Sequence, residues 1–389
     1  MGVYESLGVR PLINATCHWT LYGGSVMWPE VIDAMADARK TCVNMRDLLD
    51  AASEVITRYT KAEAALVVSG CAAGLQAGAA AIMTGDDKVK MEALPHSEGF
   101  ANEFIAYRFP RQRDAQGREY THWGYAHAVR GAGGVFVEIG DDKGVTREQL
   151  EAAFGPKTAG VYWLSDGIRG LPIEEVVEIA HQHGMPVLVD AANTLPPEEH
   201  LHRFTDIGAD LVSFSGGKGL RGPQGSGILT GRADLIAAAR LQSAPIQGIA
   251  RPLKVSKEEI IGLLTALECW AKQDHAAEMA AAKRRTQRLV DSLQDVDGAT
   301  AEYRFPDVNG RPYPTARVNL DPERGVKAAD VIAELLAGSP SVAVMHADDP
   351  YLLRVDVRVL SDADAEIVAT RMREVLQTLL VGNLEPQFA

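Results

Sequence analysis

The sequence contains few cysteines, no long apolar run and no signal peptide. Four cysteines among 389 residues show neither C-x-x-C nor zinc-type spacing, so we expect reduced thiols rather than a disulfide framework. Two His-x-His pairs lack convergent cysteines or carboxylates, so no metal site is expected. No apolar stretch reaches the ~18 residues that span a bilayer, and the N-terminus lacks a basic segment followed by an apolar one. These absences predict a cytoplasmic protein without a membrane partner.

Basic charge is also scarce. The chain carries 39 Lys and Arg residues against 52 Asp and Glu, a formal net charge of −13 at pH 7. Proteins that coat nucleic acids derive their affinity from clustered basic residues, so we expect no nucleic-acid partner. Hydrophobic residues make up 46% and charged residues 23%, a globular composition that argues against disorder. The length is sufficient for two or three domains.

Short apolar runs alternate with helical patterns through the first two thirds of the chain. The predicted strands cover residues 65–68, 89–94, 135–137, 160–164, 185–190 and 209–214. Helices are predicted up to about residue 83 and over 173–183. Strands separated by helices of this length indicate right-handed crossovers and a mainly parallel sheet covered on both faces. The first region is therefore predicted to have an α/β fold.

The pattern changes after residue 255. A long helix is predicted over 257–293, followed by strands and helices in mixed order: 301–305, 315–320, 328–336, 342–345, 352–359 and 362–380. This order is typical of an α+β module. We place the boundary near 251–256, which predicts a large domain over 1–253, including an N-terminal arm, and a small domain over 254–389.

Three features lie where predicted strands end, the edge at which open α/β sheets bind ligands. The first is a turn of small residues from strand to helix, formed by Ser69, Gly70, Cys71 and Ala72. Its backbone amides and the positive end of the helix suit a phosphate group, although small residues at such a turn also serve packing alone.

The second and third features are an acid and a lysine. Asp190 ends an apolar strand, where a carboxylate needs either a cap-type hydrogen bond or a cationic ring nitrogen as its partner, and Ala192 is small enough to let a ring lie flat. Lys218 lies in the glycine-rich loop S-G-G-K-G directly after another strand. A lysine there is either structural or a Schiff-base nucleophile. The phosphate turn, the acid and the lysine together predict a pyridoxal 5′-phosphate (PLP) site.

The same residues resemble a known family. The motif F-S-G-G-K at 214–218, followed by G-P-Q at 222–224, is similar to the signature of L-seryl-tRNA selenium transferase (selenocysteine synthase)-like enzymes. These are fold-type I PLP-dependent enzymes. Further similarity lies at 13–15, 62–65, 251–255 and 356–358, so the resemblance runs from about residue 8 to 380. Residues 195–197 (L-P-P) look closer to small-molecule members such as the D-glucosaminate-6-phosphate ammonia-lyases.

The resemblance implies roles for single residues. Lys218 would form the Schiff base and be catalytic, Asp190 would bind the ring nitrogen, and the Ser215 hydroxyl would join the phosphate turn. The remaining implied cofactor residues are His96, stacked on the ring unless it is an ordinary core or surface histidine, and Arg251, reaching a phosphate across a dimer interface.

The resemblance also implies a substrate site in the small domain. Arg358 matches an arginine that would bind a substrate α-carboxylate through its bidentate guanidinium. An ordinary ion pair at Arg358, or the same role for Arg354, is the alternative. Asn14 and Thr16 are predicted to contact substrate as well. Fold-type I sites are usually completed by a second subunit, so we expect a homodimer or larger assembly with shared active sites.

The reaction is expected to involve a small molecule. Because the catalytic fold begins near residue 8, no N-terminal tRNA-binding domain is expected, and the charge of −13 disfavours a polyanion. We therefore predict a PLP-dependent lyase that acts on a small amino acid by α-proton abstraction and β-elimination. An aminotransferase, racemase or aldolase is the alternative, and selenium transfer or PLP binding without turnover is less favoured.

An Arg-rich stretch within 100–121 has no counterpart in this pattern. We predict a lineage-specific insertion whose residues 108–121 form an exposed loop, either solvated or acting as a lid for an anionic substrate. The arginines concerned are Arg108, Arg111, Arg113 and Arg118.

Overall fold

The computed structural model describes residues 2–164, 170–307 and 310–382. Its strands are β1 (Leu12–Asn14), β2 (Ala64–Val68), β3 (Glu103–Tyr107), β4 (Arg111–Arg113), β5 (Glu119–Thr121), β6 (Val135–Ile139), β7 (Thr158–Leu164), β8 (Val187–Asp190), β9 (Leu211–Ser215), β10 (Gly227–Gly231), β11 (Ala299–Arg304), β12 (Thr315–Leu320), β13 (Ser341–Ala343), β14 (Met345–His346) and β15 (Leu352–Val355). Its α-helices are α1 (Pro29–Ala38), α2 (Met45–Thr60), α3 (Cys71–Thr84), α4 (Lys88–Ala93), α5 (His127–Gly131), α6 (Arg147–Glu151), α7 (Ile173–Gln182), α8 (His200–Asp206), α9 (Ala233–Gln242), α10 (Lys257–Ala271), α11 (His275–Asp291), α12 (Ala328–Ala337) and α13 (Asp362–Gly382).

A seven-stranded sheet forms the centre of the larger part of the chain. Its strand order is β2-β10-β9-β8-β7-β3-β6. β10 is antiparallel to both of its neighbours, and the other adjacent strands are parallel. All four residues of β8 are buried, as expected for a parallel strand covered on both faces. The α/β prediction with a mainly parallel sheet is confirmed.

Most predicted strands of this sheet are confirmed, and two predictions are wrong. Residues 89–94 were predicted as a strand but fall mainly in α4, because Asp87 caps this helix by accepting from the amides of Val89 and Lys90. The stretch 100–121 is not an insertion throughout, since β3 lies inside the sheet between β7 and β6. Within the predicted loop, β4 and β5 pair as an antiparallel hairpin.

A second sheet belongs to the smaller part of the chain. It is antiparallel, with the order β11-β12-β15-β14, and one face carries an apolar cluster that includes residues of α11, α12 and α13. The helix predicted over 257–293 is interrupted after α10. Asp274 accepts from the amide of Ala277 at 2.9 Å and so starts α11 as a new helix.

The chain divides into two compact units. The large unit is Val26–Lys272, and the small unit is Met1–Ser25 with Gln273–Ala389. This division differs from the predicted boundary at residue 253 in two respects. β1 belongs to the small unit because it pairs in parallel with β13, and α10 belongs to the large unit because it packs against α1. Among the described residues, no helix is both long and apolar enough to span a membrane.

Candidate active site

The N-terminus of α3 forms the first part of the site in the large unit. β2 leads into α3 through Gly70, whose φ of 90° is rarely adopted by residues with a side chain, and the Gly70 amide donates to the Val68 carbonyl at 2.9 Å. The amides of Cys71 and Ala72 are the first donors of the helix and have no acceptor within it. Ser69 Oγ donates to the Leu253 carbonyl at 2.9 Å. The predicted anion site therefore has Cys71 and Ala72 as donors, while Gly70 is already engaged.

Gly227 in β10 allows this helix to lie close to the sheet. A Cβ at this position would lie 2.6 Å from the Gly70 carbonyl carbon and 2.9 Å from the Cys71 amide nitrogen. We expect Gly227→Ala to displace the start of α3 and weaken PLP binding at least about tenfold, the effect of losing one charged hydrogen bond. Titration of the cofactor-free protein with PLP measures this. Gly155→Ala, where a Cβ meets nothing within 4 Å, is the matched control. Equal affinity in both variants would contradict the anion site.

Asp190 is a buried carboxylate at the end of β8, only 1% exposed. The Tyr162 hydroxyl donates to Oδ2 at 3.1 Å, and the Ala192 amide and the Cys71 thiol donate to Oδ1 at 3.1 and 3.4 Å. Burial raises the pKa of Asp190, while these donors and the charge of Lys218 act in the opposite direction. The carboxylate is thus fixed in orientation and desolvated, which suits it to partner a cation.

Lys218 lies in the turn after β9, at the same edge of the sheet as the end of β8. It is half-buried, and its Nζ lies 5.5 Å from the centre of the Tyr125 ring. Burial raises the pKa of Cys71 well above its usual value, and the charge of Lys218 opposes this rise, as it does at Asp190. The structure therefore brings Lys218, Asp190 and Cys71 together, as the three sequence features predict.

Sequence reasoning missed two aromatic residues and one thiol at this site. Tyr162 lies in a predicted apolar strand, Tyr125 lies in no motif, and the sequence indicates only the backbone amide of Cys71 as a binding group. The Cys71 thiol also donates to the Ser213 carbonyl at 3.2 Å, while Ser213 Oγ donates back to the Cys71 carbonyl at 2.9 Å. A tyrosine within a buried strand is the one sequence signal that pointed to a polar partner nearby.

The remaining predicted cofactor residues lie in this unit. Ser215 ends β9 opposite Gly227, and Ala192 follows Asp190 and is half-buried. Arg251 has a buried Nε without a hydrogen-bond partner among the described residues. His96 is exposed in the turn after α4, so its stacking role stays a prediction.

The arginines of the 108–121 stretch all have acidic partners. This observation favours the solvated interpretation over a lid for an anionic substrate, because the guanidinium groups are already compensated. The pairs are Arg108–Asp142 (3.7 Å), Arg111–Glu138 (3.0 Å), Arg113–Glu119 (3.0 Å) and Arg118–Asp114 (2.6 Å).

The predicted substrate residues lie together in the small unit. Asn14 Oδ1 accepts from the amide and the hydroxyl of Thr16 at 3.0 and 2.6 Å, and its Nδ2 donates to the Gly24 carbonyl at 3.0 Å. Thr16 is buried and forms a β-bridge with Asp356. Both side chains are thus engaged in holding the N-terminal segment against the strand end that carries Arg358.

Arg358 is buried and held by three different groups. Its Nη2 lies 3.2 Å from Asp356 Oδ2, its Nε donates to Cys17 Sγ at 3.1 Å, and its guanidinium lies 3.6 Å from the centre of the Tyr313 ring. Burial raises the pKa of Cys17 to about 12, so the thiol is protonated, and its Sγ lies 2.9 Å from His18 Nδ1. Arg358 Nη1 is buried without a hydrogen-bond partner among the described residues. This atom is a donor suited to a carboxylate.

Comparison with known proteins identifies a matching family and several similar enzymes. The aminotransferase class-V family matches residues 121–345. The D-glucosaminate-6-phosphate ammonia lyase of Salmonella typhimurium is 32% identical, covering 96% of this chain and 98% of that protein. A 5′-C-glycyluridine monooxygenase-decarboxylase of a Streptomyces species is 33% identical, covering 96% and 92%. An L-seryl-tRNA(Sec) selenium transferase of Solidesulfovibrio magneticus is 26% identical, covering 95% and 82%.

A solved structure of a D-glucosaminate-6-phosphate ammonia-lyase superimposes with a TM-score of 0.79 at 30% identity, covering 97% of this chain and 98% of that one. Fold and site define a fold-type I PLP-dependent enzyme, which confirms the predicted fold and cofactor. The chain belongs to the aminotransferase class-V family.

Proposed function

We propose that this protein is a PLP-dependent lyase that releases ammonia from a small amino acid by α-proton abstraction and β-elimination. The arrangement of Asp190, the last residue of β8, and Lys218, in the turn after the neighbouring strand β9, carries this proposal. The identity of 32% with an ammonia lyase over nearly the whole chain supports it.

The residues of the large unit fit the cofactor. Asp190 is desolvated, and a cationic ring nitrogen offsets that cost by pairing with its carboxylate. The amides of Cys71 and Ala72, with the hydroxyl of Ser215, would hold the phosphate at the N-terminus of α3. Lys218 would hold the aldehyde carbon. Each of these groups has the charge or donor that the corresponding part of PLP requires.

The cofactor and the protein side chains supply different parts of the chemistry. When bound, PLP supplies the electron sink for the carbanion that forms at the substrate Cα. Lys218 Nζ, once free, would remove the α-proton and donate a proton to the departing β-hydroxyl, which leaves as water. Hydrolysis of the unsaturated amine product would then give ammonia and the oxo acid. Tyr162 and Cys71 hold Asp190 in place throughout, since both donate to its carboxylate.

Arg358 would bind the α-carboxylate of the substrate through its unpartnered Nη1. We expect Arg358→Ala to raise the KM for carboxylate substrates by about tenfold or more, because a charged hydrogen bond contributes ~1.5–3 kcal/mol. Steady-state kinetics with a carboxylate substrate and its amide analogue measure this effect. Arg371→Ala, which removes an arginine paired with Glu374, is the matched control. A lower melting temperature with an unchanged KM would leave Arg358 as a structural ion pair only.

The reaction is tested with the PLP-loaded enzyme on D- and L-β-hydroxy amino acids and on amino-sugar acids with and without a 6-phosphate. Equal release of ammonia and oxo acid is expected for one of these substrates, and Lys218→Ala should abolish it. Stoichiometric consumption of an added oxo acid would instead indicate transamination. Amino-sugar acids are included because the Salmonella relative is named for one.

Oxidative decarboxylation is a second candidate, favoured by the Streptomyces relative at 33% identity. It differs from elimination in consuming O₂ and releasing CO₂. Measuring both gases in the same reactions therefore separates the two activities. We also propose a homodimer or larger assembly, which sedimentation of the PLP-loaded protein tests.

A further inference from the structure

Two arginines lie side by side on the sheet of the small unit, and neither has an acidic partner among the described residues. Arg317 of β12 and Arg354 of β15 are directly opposite each other in the antiparallel register. Directly opposed residues have Cβ atoms ~4.5–5.5 Å apart, and like charges in this position are destabilising. Both side chains are half-buried, and the Nε of each is buried without a hydrogen-bond partner in residues 2–164, 170–307 and 310–382. Neither guanidinium pairs with any residue in the described part of the chain.

The residues on either side do not neutralise this pair. Register pairing places Glu302, Arg317, Arg354 and Met345 in one row across the four strands. Glu302 is the acid of this row, and its Oε2 lies 2.6 Å from Arg304 Nη2. Met345, at the other end of the row, carries no charge.

The adjacent positions on this face include one further acid, which is already paired. Residues two apart along a strand share a face of the sheet, so Thr315 and Asn319 flank Arg317, and Leu352 and Asp356 flank Arg354. The Asp356 carboxylate is paired with Arg358, its Oδ2 lying 3.2 Å from Arg358 Nη2. Arg373 of the same unit is compensated, since its two Nη atoms lie 2.5 and 2.7 Å from the carboxylate of Asp295.

We propose that Arg317 and Arg354 form a binding site for a phosphate group. A carboxylate is satisfied by one guanidinium fork, whereas a phosphate monoester presents three acceptor oxygens and a charge near −2, which match two forks. Binding would remove the repulsion between the arginines and supply partners for their buried donors. Arg358 is not part of the proposed site, because its guanidinium is held by Asp356 and Cys17.

Calorimetric titration with inorganic phosphate tests the site on the PLP-loaded protein, in which the cofactor occupies its own phosphate position. We expect Arg317→Gln and Arg354→Gln each to weaken phosphate binding about tenfold, as for the loss of a charged hydrogen bond. Arg373→Gln removes the same charge from the same unit and should leave binding unchanged. Glycerol 3-phosphate should bind like inorganic phosphate, and acetate should bind far more weakly.

The melting temperatures of the wild type and the variants test the site without measuring activity. They also show whether a variant is misfolded. Without phosphate, the two single variants should melt at the wild-type temperature or above, because each relieves the repulsion. Phosphate should raise the melting temperature of the wild type but not of the double variant, which combines Arg317→Gln and Arg354→Gln. Wild-type protein that does not bind phosphate, a double variant that still binds it, or equal affinity for acetate would each overturn the proposal.

Discussion

Lys218→Ala is expected to reduce turnover by about 10³-fold or more, because it removes a nucleophile and a general base together. The visible absorption of the cofactor bound to Lys218 should disappear at the same time. Absorption spectra and initial rates of product formation, measured on protein reconstituted with PLP, give both results.

Two control variants separate the covalent role of Lys218 from its charge. Lys218→Arg keeps the positive charge near Asp190 and Tyr125 but cannot bond to the aldehyde carbon, so it should be as inactive as Lys218→Ala. Lys143→Ala removes an exposed lysine of the same unit and should have no effect. Substantial activity in Lys218→Arg would show that the lysine acts only through its charge and would contradict the proposed chemistry.

Asp190→Asn is expected to lower activity about 10²-fold or more, as for the loss of an oriented electrostatic partner, and yet to stabilise the cofactor-free protein. The amide is close in shape to the carboxylate, and its oxygen still accepts from Ala192 and Cys71. The substitution removes the buried negative charge of the Asp190 carboxylate, which is costly to bury. A rise of about 2 °C or more in melting temperature is expected at neutral pH, since ~1 kcal/mol shifts the melting temperature by about 2–4 °C at this domain size.

The stabilisation by Asp190→Asn should depend on pH in a defined direction. Burial raises the pKa of Asp190 in the folded protein above its value in the unfolded chain, so the folded state holds a proton that unfolding releases. The wild type therefore loses stability as pH rises from the unfolded pKa to the folded one, and the loss is complete above the folded pKa. The difference between the two proteins should be small near pH 4 and largest at neutral pH.

The substitution Asp210→Asn is the control for Asp190→Asn and should have the opposite effect on stability. Asp210 is also buried, but it lies 2.9 Å from both Arg232 and His181 and accepts from the Val187 amide at 2.8 Å. These partners compensate the charge of Asp210, so replacing its carboxylate with the amide of Asn should destabilise the protein. If both substitutions lower the melting temperature at neutral pH, desolvation of the Asp190 carboxylate does not destabilise the folded protein.

Local sequence patterns predicted most of the sheet and the centre of the site. The strands that became β2, β7, β8 and β9 are apolar runs bounded by turn residues, a signal contained within a few positions. Asp190 and Lys218 could be proposed from the sequence because Asp190 ends one strand, Lys218 lies in the turn after the next, and the ends of parallel strands share one edge. The strand prediction failed at 89–94, where Asp87 caps a helix.

The sequence by itself thus determined the fold class and the type of cofactor, and it predicted Lys218 and Asp190 as the lysine and acid of the site. Tertiary structure decided which strands are neighbours. The order of the strands allows the Tyr162 hydroxyl and the Cys71 thiol to donate hydrogen bonds to the Asp190 carboxylate. It also placed Cys17 against Arg358, 341 residues apart in the chain, and Arg317 opposite Arg354. These contacts depend on sheet order and register, which the packing of the whole core selects and no local pattern contains.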